Sequence, residues 1–360
     1  MRVGITTCHR AHNYGAMLQA YALKRYLESK GHNVYMTDTR AIPLTQWHWP
    51  LRESSLKSIL LYPKKLIKWY LPSYLYLRRR EENFERFRKR YLDTQTSSYD
   101  LRFDAIFYGS DQIWSKYKTG FDVIRFGFDN LNSAKRIALS ASMGVIDIQP
   151  EDIDFLSQAF QRFDAISVRE LPLKEKIDEL HIAPNKEIIC TIDPTFLLKK
   201  EDWLHLVGKR KIGKPYLLFY DFQDCNIYAK KIVKEIAKRK NLMVIRITDG
   251  VIHSHKEIGY ERTAGPKEFL NYLYYADFVV STSFHGTAFS LIFEKQFYSS
   301  QVWNTDRVQS LLSKVGLSHR FLTPQNFPEN IDIIDYAQVD KVIQTERLKL
   351  EAFINDSLNM

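Results

Sequence analysis

Cysteine is scarce in this 360-residue chain: Cys8, Cys190 and Cys225 are widely spaced and odd in number. That excludes a disulfide framework and a CxxC metal or redox site, and it suits a reduced, cytoplasmic setting. No apolar run approaches the ~18 residues needed to span a bilayer. The start, MRVGITTCHRAHNYGA, has neither the apolar core nor the cleavage site of a secretion signal. A protein in the cytoplasm is expected, soluble or peripheral at the inner face of the cell membrane. GxGxxG, a Walker loop, HExxH and GxSxG are all missing, as are solenoid-length repeats and low-complexity tracts. No Cys/His metal spacing occurs; His253 and His255 are the nearest approach to one and fit a surface loop. Acidic residues number 42 against 52 Lys plus Arg, a net charge of +10, which attracts anions without naming them. The basic residues are dispersed and no nucleic-acid module is present, so nucleic acid is not an expected partner.

Hydrophobic residues make up 45% and aromatics 14% of the chain, which is globular usage, and the length suits two domains. Short strand-like runs alternate with helical patterns, the mark of βαβ units around parallel sheets. VGITT, NVYMTDT, DAIFYG, RIALSAS and AISVRE are read as strands of an N-terminal α/β domain, residues 1–194. PYLLFY, LMVIRI and DFVVS belong to a second, residues 195–336. In the first helix Leu18, Tyr21, Ala22 and Leu27 share a face. At the end, Val339, Val342, Ile343, Leu350, Phe353 and Ile354 predict an amphipathic helix, 337–360, that packs back on the first domain. An insertion at about 45–92 interleaves Lys/Arg with Trp, Tyr and Leu. Either its apolar positions pack on the first domain beside a solvated helix, RRREENFERFRKR, or Lys64, Lys65, Lys68 and Arg78 to Arg80 meet anionic lipid.

Ligands of parallel α/β sheets collect beyond the carboxyl ends of strands, where four motifs fall. In HRAHNYGAMLQAYAL, Asn13 either caps the helix or joins the free amides near Gly15 in holding an anion. In YGSDQIW, Asp111, Gln112 and Trp114 suit sugar hydroxyls and the apolar face of a pyranose, or else Ser110 or Asp111 caps a helix and Trp114 enters the core. In ISVRE, Arg169 either grips a carboxylate or phosphate or pairs with Glu170 or another acid. In VVSTSFHGTAFSLIFEKQF, His285 stands where a strand hands over to a helix, placed to contact phosphate or move a proton, with Gly286 admitting a ligand to the backbone.

NYGAMLQAYAL, GSDQIW, SVRE, DPTFLL and GPKEFLNYLYYADFVVSTSFHGTAFSLIFEKQF, spread from residue 13 to residue 297, resemble the polysaccharide pyruvyl transferase family. The resemblance implies a GT-B-like fold of two Rossmann-type domains with parallel sheets facing a central cleft. It implies transfer of pyruvate from phosphoenolpyruvate, without a cofactor, to paired hydroxyls of a hexose in a surface polysaccharide or its precursor. The product is a cyclic ketal, often on galactose, and the acceptor glycan can be lipid-linked. On that resemblance His285 serves proton transfer and phosphate contact, and Arg169 the donor's acid groups. Asn13, Gly15, Ser283, Gly286 and Lys295 also fall on the donor side. Asp111, Gln112, Trp114 and His9 or His12 fall on the acceptor side, with Asp111 catalytic. Ser283 stands where several members carry arginine, so that donor contact is either missing or supplied elsewhere, for instance by Lys295 or Arg262. A glycosyltransferase using a nucleotide sugar and a non-catalytic sugar-binding protein are the alternatives on the same cleft.

Overall fold

The computed structural model of the chain describes residues 1–37, 71–93, 101–221, 227–248, 259–300, 305–327 and 329–360. Residues 38–70, which include the first part of the expected insertion with Lys64, Lys65 and Lys68, lie outside the described residues, as do Cys225, His253 and His255.

The first half contributes β1 (Arg2–Thr6), β2 (Asn33–Met36), β3 (Arg102–Phe103), β4 (Ala105–Asp111), β5 (Asn132–Ser133), β6 (Arg136–Ala141), β7 (Ala165–Val168) and β8 (Ile188–Cys190). Six of them form a wholly parallel sheet in the order β2-β1-β4-β6-β7-β8, and β3 pairs with β5 apart from it. The second half contributes β9 (Tyr216–Asp221), β10 (Met243–Thr248), β11 (Gly259–Glu261), β12 (Phe278–Ser281) and β13 (Phe297–Ser299), also parallel, in the order β11-β10-β9-β12-β13. The central strands are buried along almost their whole length, as the runs AIFYGS, YLLFYD and FVVS require of sheets covered by helices on both faces. Two parallel α/β halves of this kind make a GT-B-like architecture.

Strand order sets where a ligand can lie. In the first sheet the direction of winding reverses between β1 and β4, and in the second between β9 and β12. Loops that leave the carboxyl ends of strands at such points diverge and leave a crevice. β4 ends at Asp111 and the loop after β12 begins at Thr282, so both crevices carry residues singled out by the sequence motifs.

The helix Tyr14–Ser29 is buried almost all round rather than on the single face of Leu18, Tyr21, Ala22 and Leu27. Its outer side is covered as well: the Tyr14 ring stacks on Phe269 at 4.7 Å and Tyr21 meets Trp203 at 5.6 Å. The helix Leu71–Tyr91 pairs Arg78 with Glu82 at 3.3 Å on its exposed side, yet it is more than a solvated helix. It buries Phe84 and Phe87 and lays Arg80 over the Tyr14 ring. The helix Tyr336–Asn359 buries Val339, Ile343, Leu350, Phe353 and Ile354 as its periodicity predicts. Lys135 donates to its Leu358 carbonyl, its Arg347 donates to the Phe196 carbonyl, and its Glu346 pairs with Lys314. No helix among the described residues is long and apolar enough to cross a membrane.

Candidate active site

The two switch points meet around a knot of buried charge. From the first half, β4 ends at Ser110 and Asp111, β7 delivers Arg169 and Glu170, and the segment after β8 delivers Asp193. Asp111 leaves its strand with φ of 71° and Ser140 holds φ of 45° in β6. Such left-handed conformations are rare for non-glycine residues and gather where function demands them. Gln19, on the first helix, accepts from Ser110 N–H and donates to Thr7 Oγ1, tying the ends of β1 and β4 together. From the second half come His285, in the first turn of the helix Phe284–Ile292, and Arg307, on the helix Thr305–Lys314.

Asp193 is the anchor. Its Oδ2 accepts from Arg169 Nη1 at 2.7 Å and from Ser110 Oγ at 3.2 Å, and lies 3.7 Å from His285 Nε2. Its Oδ1 accepts from the Thr195 amide and hydroxyl. Burial works to raise the Asp193 carboxyl, but His285, Arg169 and the Thr195 amide outweigh it and hold it well below the usual carboxylate range. Asp111 follows the same pattern: burial opposes ionisation, and His285, Arg169, Lys118 and Arg307 overcome it. Glu170 goes the other way. Burial raises its pKa in spite of Arg169 and Arg307, although the Ser142 hydroxyl donates to it.

Arg169 therefore stays charged despite burial, held by Glu170, Asp193 and Asp111. Its Nη1 is spent on Asp193, and its face lies 4.3 Å from the Phe284 ring. The opposite edge is not spent: Nε and Nη2 are buried without a hydrogen-bond partner, Glu170 standing 3.5 Å from one and Asp111 3.6 Å from the other. That edge presents two parallel N–H groups, the arrangement that binds a carboxylate or phosphate through both oxygens. His285 Nε2 and Arg307 Nε are buried and unpartnered in the same cluster. Buried polar groups are normally paired, so these donors are ones that a bound anion would satisfy.

The sequence model of the polysaccharide pyruvyl transferase family matches residues 13–300. The chain belongs to that family. It is accordingly a transferase of polysaccharide biosynthesis. No curated protein matches the sequence. Among solved structures, this pyruvyl transferase family member is similar to S. aureus MnaA with UDP, at 12% identity and a TM-score of 0.48, over 98% of this chain and 91% of that one. It is also similar to a UDP-GlcNAc 2-epimerase of Methanocaldococcus jannaschii, at 11% and 0.47, over 96% and 92%. E. coli heptosyltransferase WaaC with ADP gives 11% and 0.40, over 96% and 100%.

The structure places the transferase's motif residues unequally. Arg169, His285 and Asp111 come together, and Ser283 occupies the cap position just before the helix of His285. Four expectations are corrected. Trp114 cannot wall a sugar pocket, because it is wholly buried, stacked on Phe126 at 5.4 Å with its indole N–H on the Arg125 carbonyl. Asn13 caps its helix, accepting from Ala16 N–H. The open side of Gly15 is filled by the His285 ring, 1.9 Å from where a Cβ would lie, and that of Gly286 by Ser281 and Tyr220. These glycines let elements pack closely rather than admit a ligand. Lys295 lies beyond the far end of the His285 helix, bonded to the Ala276 carbonyl and lowered to about 8 by burial.

Arg262, the other candidate to replace an arginine at Ser283, lies over the Tyr76 ring. His9 and His12 face Asp93 and Glu85 at the end of the helix Leu71–Tyr91. Gln112 is buried with its amide nitrogen unpartnered, close to the main site. Sequence reasoning left Asp193 without a role, although DPTFLL was among the motifs, and it missed Arg307. Nothing local marks Arg307, whose place in the site depends on a helix beyond β13. Among the described residues no group of three or more His, Cys, Asp or Glu is placed to hold a metal ion.

Proposed function

We propose that this family member moves the enolpyruvyl group of phosphoenolpyruvate onto two hydroxyls of a hexose, in a surface polysaccharide or its precursor, to form a pyruvate ketal. The observation that carries the reading is the Nε/Nη2 edge of Arg169, without a hydrogen-bond partner, beside an equally unpartnered His285 Nε2. Phosphoenolpyruvate has a carboxylate and a phosphate on three carbons, and this edge with this imidazole is complementary to both.

His285 gives a proton to the methylene carbon, which becomes the ketal methyl group, and the adjacent carbon turns electrophilic. One sugar hydroxyl adds there, the C–O bond to phosphate breaks, and the second hydroxyl closes the ring. Of the two hydroxyl protons, one restores His285 and the other leaves with phosphate. Arg169 stabilises the donor's charge throughout, and preorganised charge of this kind is where most of the catalysis resides. Asp193 holds Arg169 and faces His285, so it orients both. Asp111, kept ionised by its cationic neighbours, is a poor proton acceptor but a good hydrogen-bond acceptor for sugar hydroxyls. Galactose is the hexose that the family resemblance favours.

Calorimetric titration with phosphoenolpyruvate, beside uridine diphosphate-galactose, tests the donor. Phosphoenolpyruvate should bind the wild-type protein, and binding should be lost in His285→Ala and Arg169→Ala. Because the latter orphans buried Asp193, Arg169→Lys is measured beside it and should retain the fold with weakened binding. Binding of the nucleotide sugar alone would sink the pyruvyl donor and leave a glycosyltransferase.

A further inference from the structure

Phosphoenolpyruvate has two acid groups, and Arg169 offers one bidentate edge. A second guanidinium lies close by with no evident structural task. Arg307 is 8% exposed, and its Nε has no hydrogen-bond partner. The acid paired with it, Asp111, stands 3.9 Å from its Nη1, beyond hydrogen-bond range, and the same Asp111 oxygen faces Arg169 Nη2 at 3.6 Å. Burying a guanidinium beside another cation and without a bonded carboxylate is costly. Burial and Arg169 together pull the group down to about 10, while Asp111, Glu170 and Asp193 work the other way. A purely structural arginine would close on an acid. This one lies 5.9 Å from the Phe284 ring, the ring that Arg169 covers at 4.3 Å.

We propose that Arg307 is the second anion-binding residue of the donor site, taking the acid group that Arg169 does not hold. The two guanidiniums, one from each half of the molecule, then bracket a small diacid across Phe284. This rests on the donor reading above and deepens it: the donor must carry two acid groups close together, and a single-acid ligand satisfies only one of the arginines. It also explains how Ser283 is tolerated, because the cation arrives on the helix Thr305–Lys314 and not from the turn before His285.

Calorimetry with phosphoenolpyruvate, inorganic phosphate and pyruvate as separate probes tests it, on wild type, Arg307→Ala, Arg307→Lys and Arg169→Lys. Arg307→Ala should weaken phosphoenolpyruvate roughly 10- to 100-fold, the range for a charged hydrogen bond, with Arg307→Lys between it and wild type. One single-acid probe should weaken in Arg307→Ala and the other in Arg169→Lys. The Tm of Arg307→Ala should be unchanged or higher, because an under-compensated buried charge has gone. Affinity for phosphoenolpyruvate within about twofold of wild type in Arg307→Ala would overturn the assignment and leave the donor reading intact. Equal loss of both single-acid probes with a fall in Tm would also overturn it, as general damage. If the wild type binds phosphate or the nucleotide sugar but not phosphoenolpyruvate, and Arg307→Ala loses that binding, the anion site stands and the pyruvyl donor falls. If the wild type binds none of these probes, both fall.

Discussion

Glu170 shows how much of this site is an electrostatic compromise. Its carboxyl sits between two arginines, yet burial dominates and its pKa lies above the ordinary 4.5. A raised carboxyl is at ease protonated in the folded chain, so its contribution to stability is fully present below the unfolded pKa and is lost as pH rises through the folded one. Asp193 has the opposite sign: its depressed carboxyl stabilises the fold above the ordinary carboxylate range and loses that effect only in strong acid. Glu170→Gln keeps an acceptor for the Ser142 hydroxyl and cannot ionise. Its Tm relative to wild type should therefore climb as pH rises above the ordinary carboxylate range, each pH unit inside the titration window being worth about 1.4 kcal/mol. Calorimetric scans at several pH values would read this, and a Tm difference independent of pH would show that Glu170 is not the buried, reluctant acid described. At this scale the sequence was partly legible. Arg169, Asp111 and His285 sit where strands end, which local pattern reveals. Asp193 and Arg307 matter because of what stands opposite them, and no local pattern encodes an opposing partner.

Among elements, legibility followed length. The helix Tyr336–Asn359 carries its apolar period over 24 residues, and the face read from the sequence is the face that is buried. By contrast, β11 and β13 have three residues each, too short for any period to emerge. In the helix Thr305–Lys314, Val308, Leu311 and Leu312 keep helical spacing for less than three turns, which is easily lost among polar neighbours. The helix Tyr14–Ser29 misled for another reason: it packs on both sides, so no single face describes it. The terminal helix offers a direct check, since Leu350 is fully buried and Leu348, two residues away, is 58% exposed. Leu350→Ala should cost about 2–5 kcal/mol, whereas Leu348→Ala should stay within about 0.5 kcal/mol of wild type. Denaturant midpoints of the two variants measure the difference, and comparable losses would mean that the helix faces the core by another side.

For the whole molecule, a site built from two halves makes access a property of both. Arg169, His285 and Arg307 are each more than nine-tenths buried and Asp193 completely so, while the Asp111 side chain beside them keeps 16% exposure. On the proposed donor reading, binding is predicted to be coupled to an opening and closing equilibrium of the two halves. Their shared surface combines apolar contacts, the Tyr14 ring on Phe269 and Tyr21 on Trp203, with hydrogen bonds from the Tyr14 hydroxyl to the Ala264 carbonyl and from Asn83 to the Thr263 carbonyl, all of which an opening must break. Trp203, wholly buried between Tyr21 and Phe289, reports on this region. Rapid mixing or temperature-jump relaxation, followed by tryptophan fluorescence with Trp203→Phe to assign the signal, should give a rate that rises with phosphoenolpyruvate and then saturates at the opening rate. With a net charge of +10 the rising arm should fall as salt screens the attraction, while the plateau, an internal step, should hold. A rate that stayed linear in phosphoenolpyruvate to the highest concentration would mean that no opening step limits its binding.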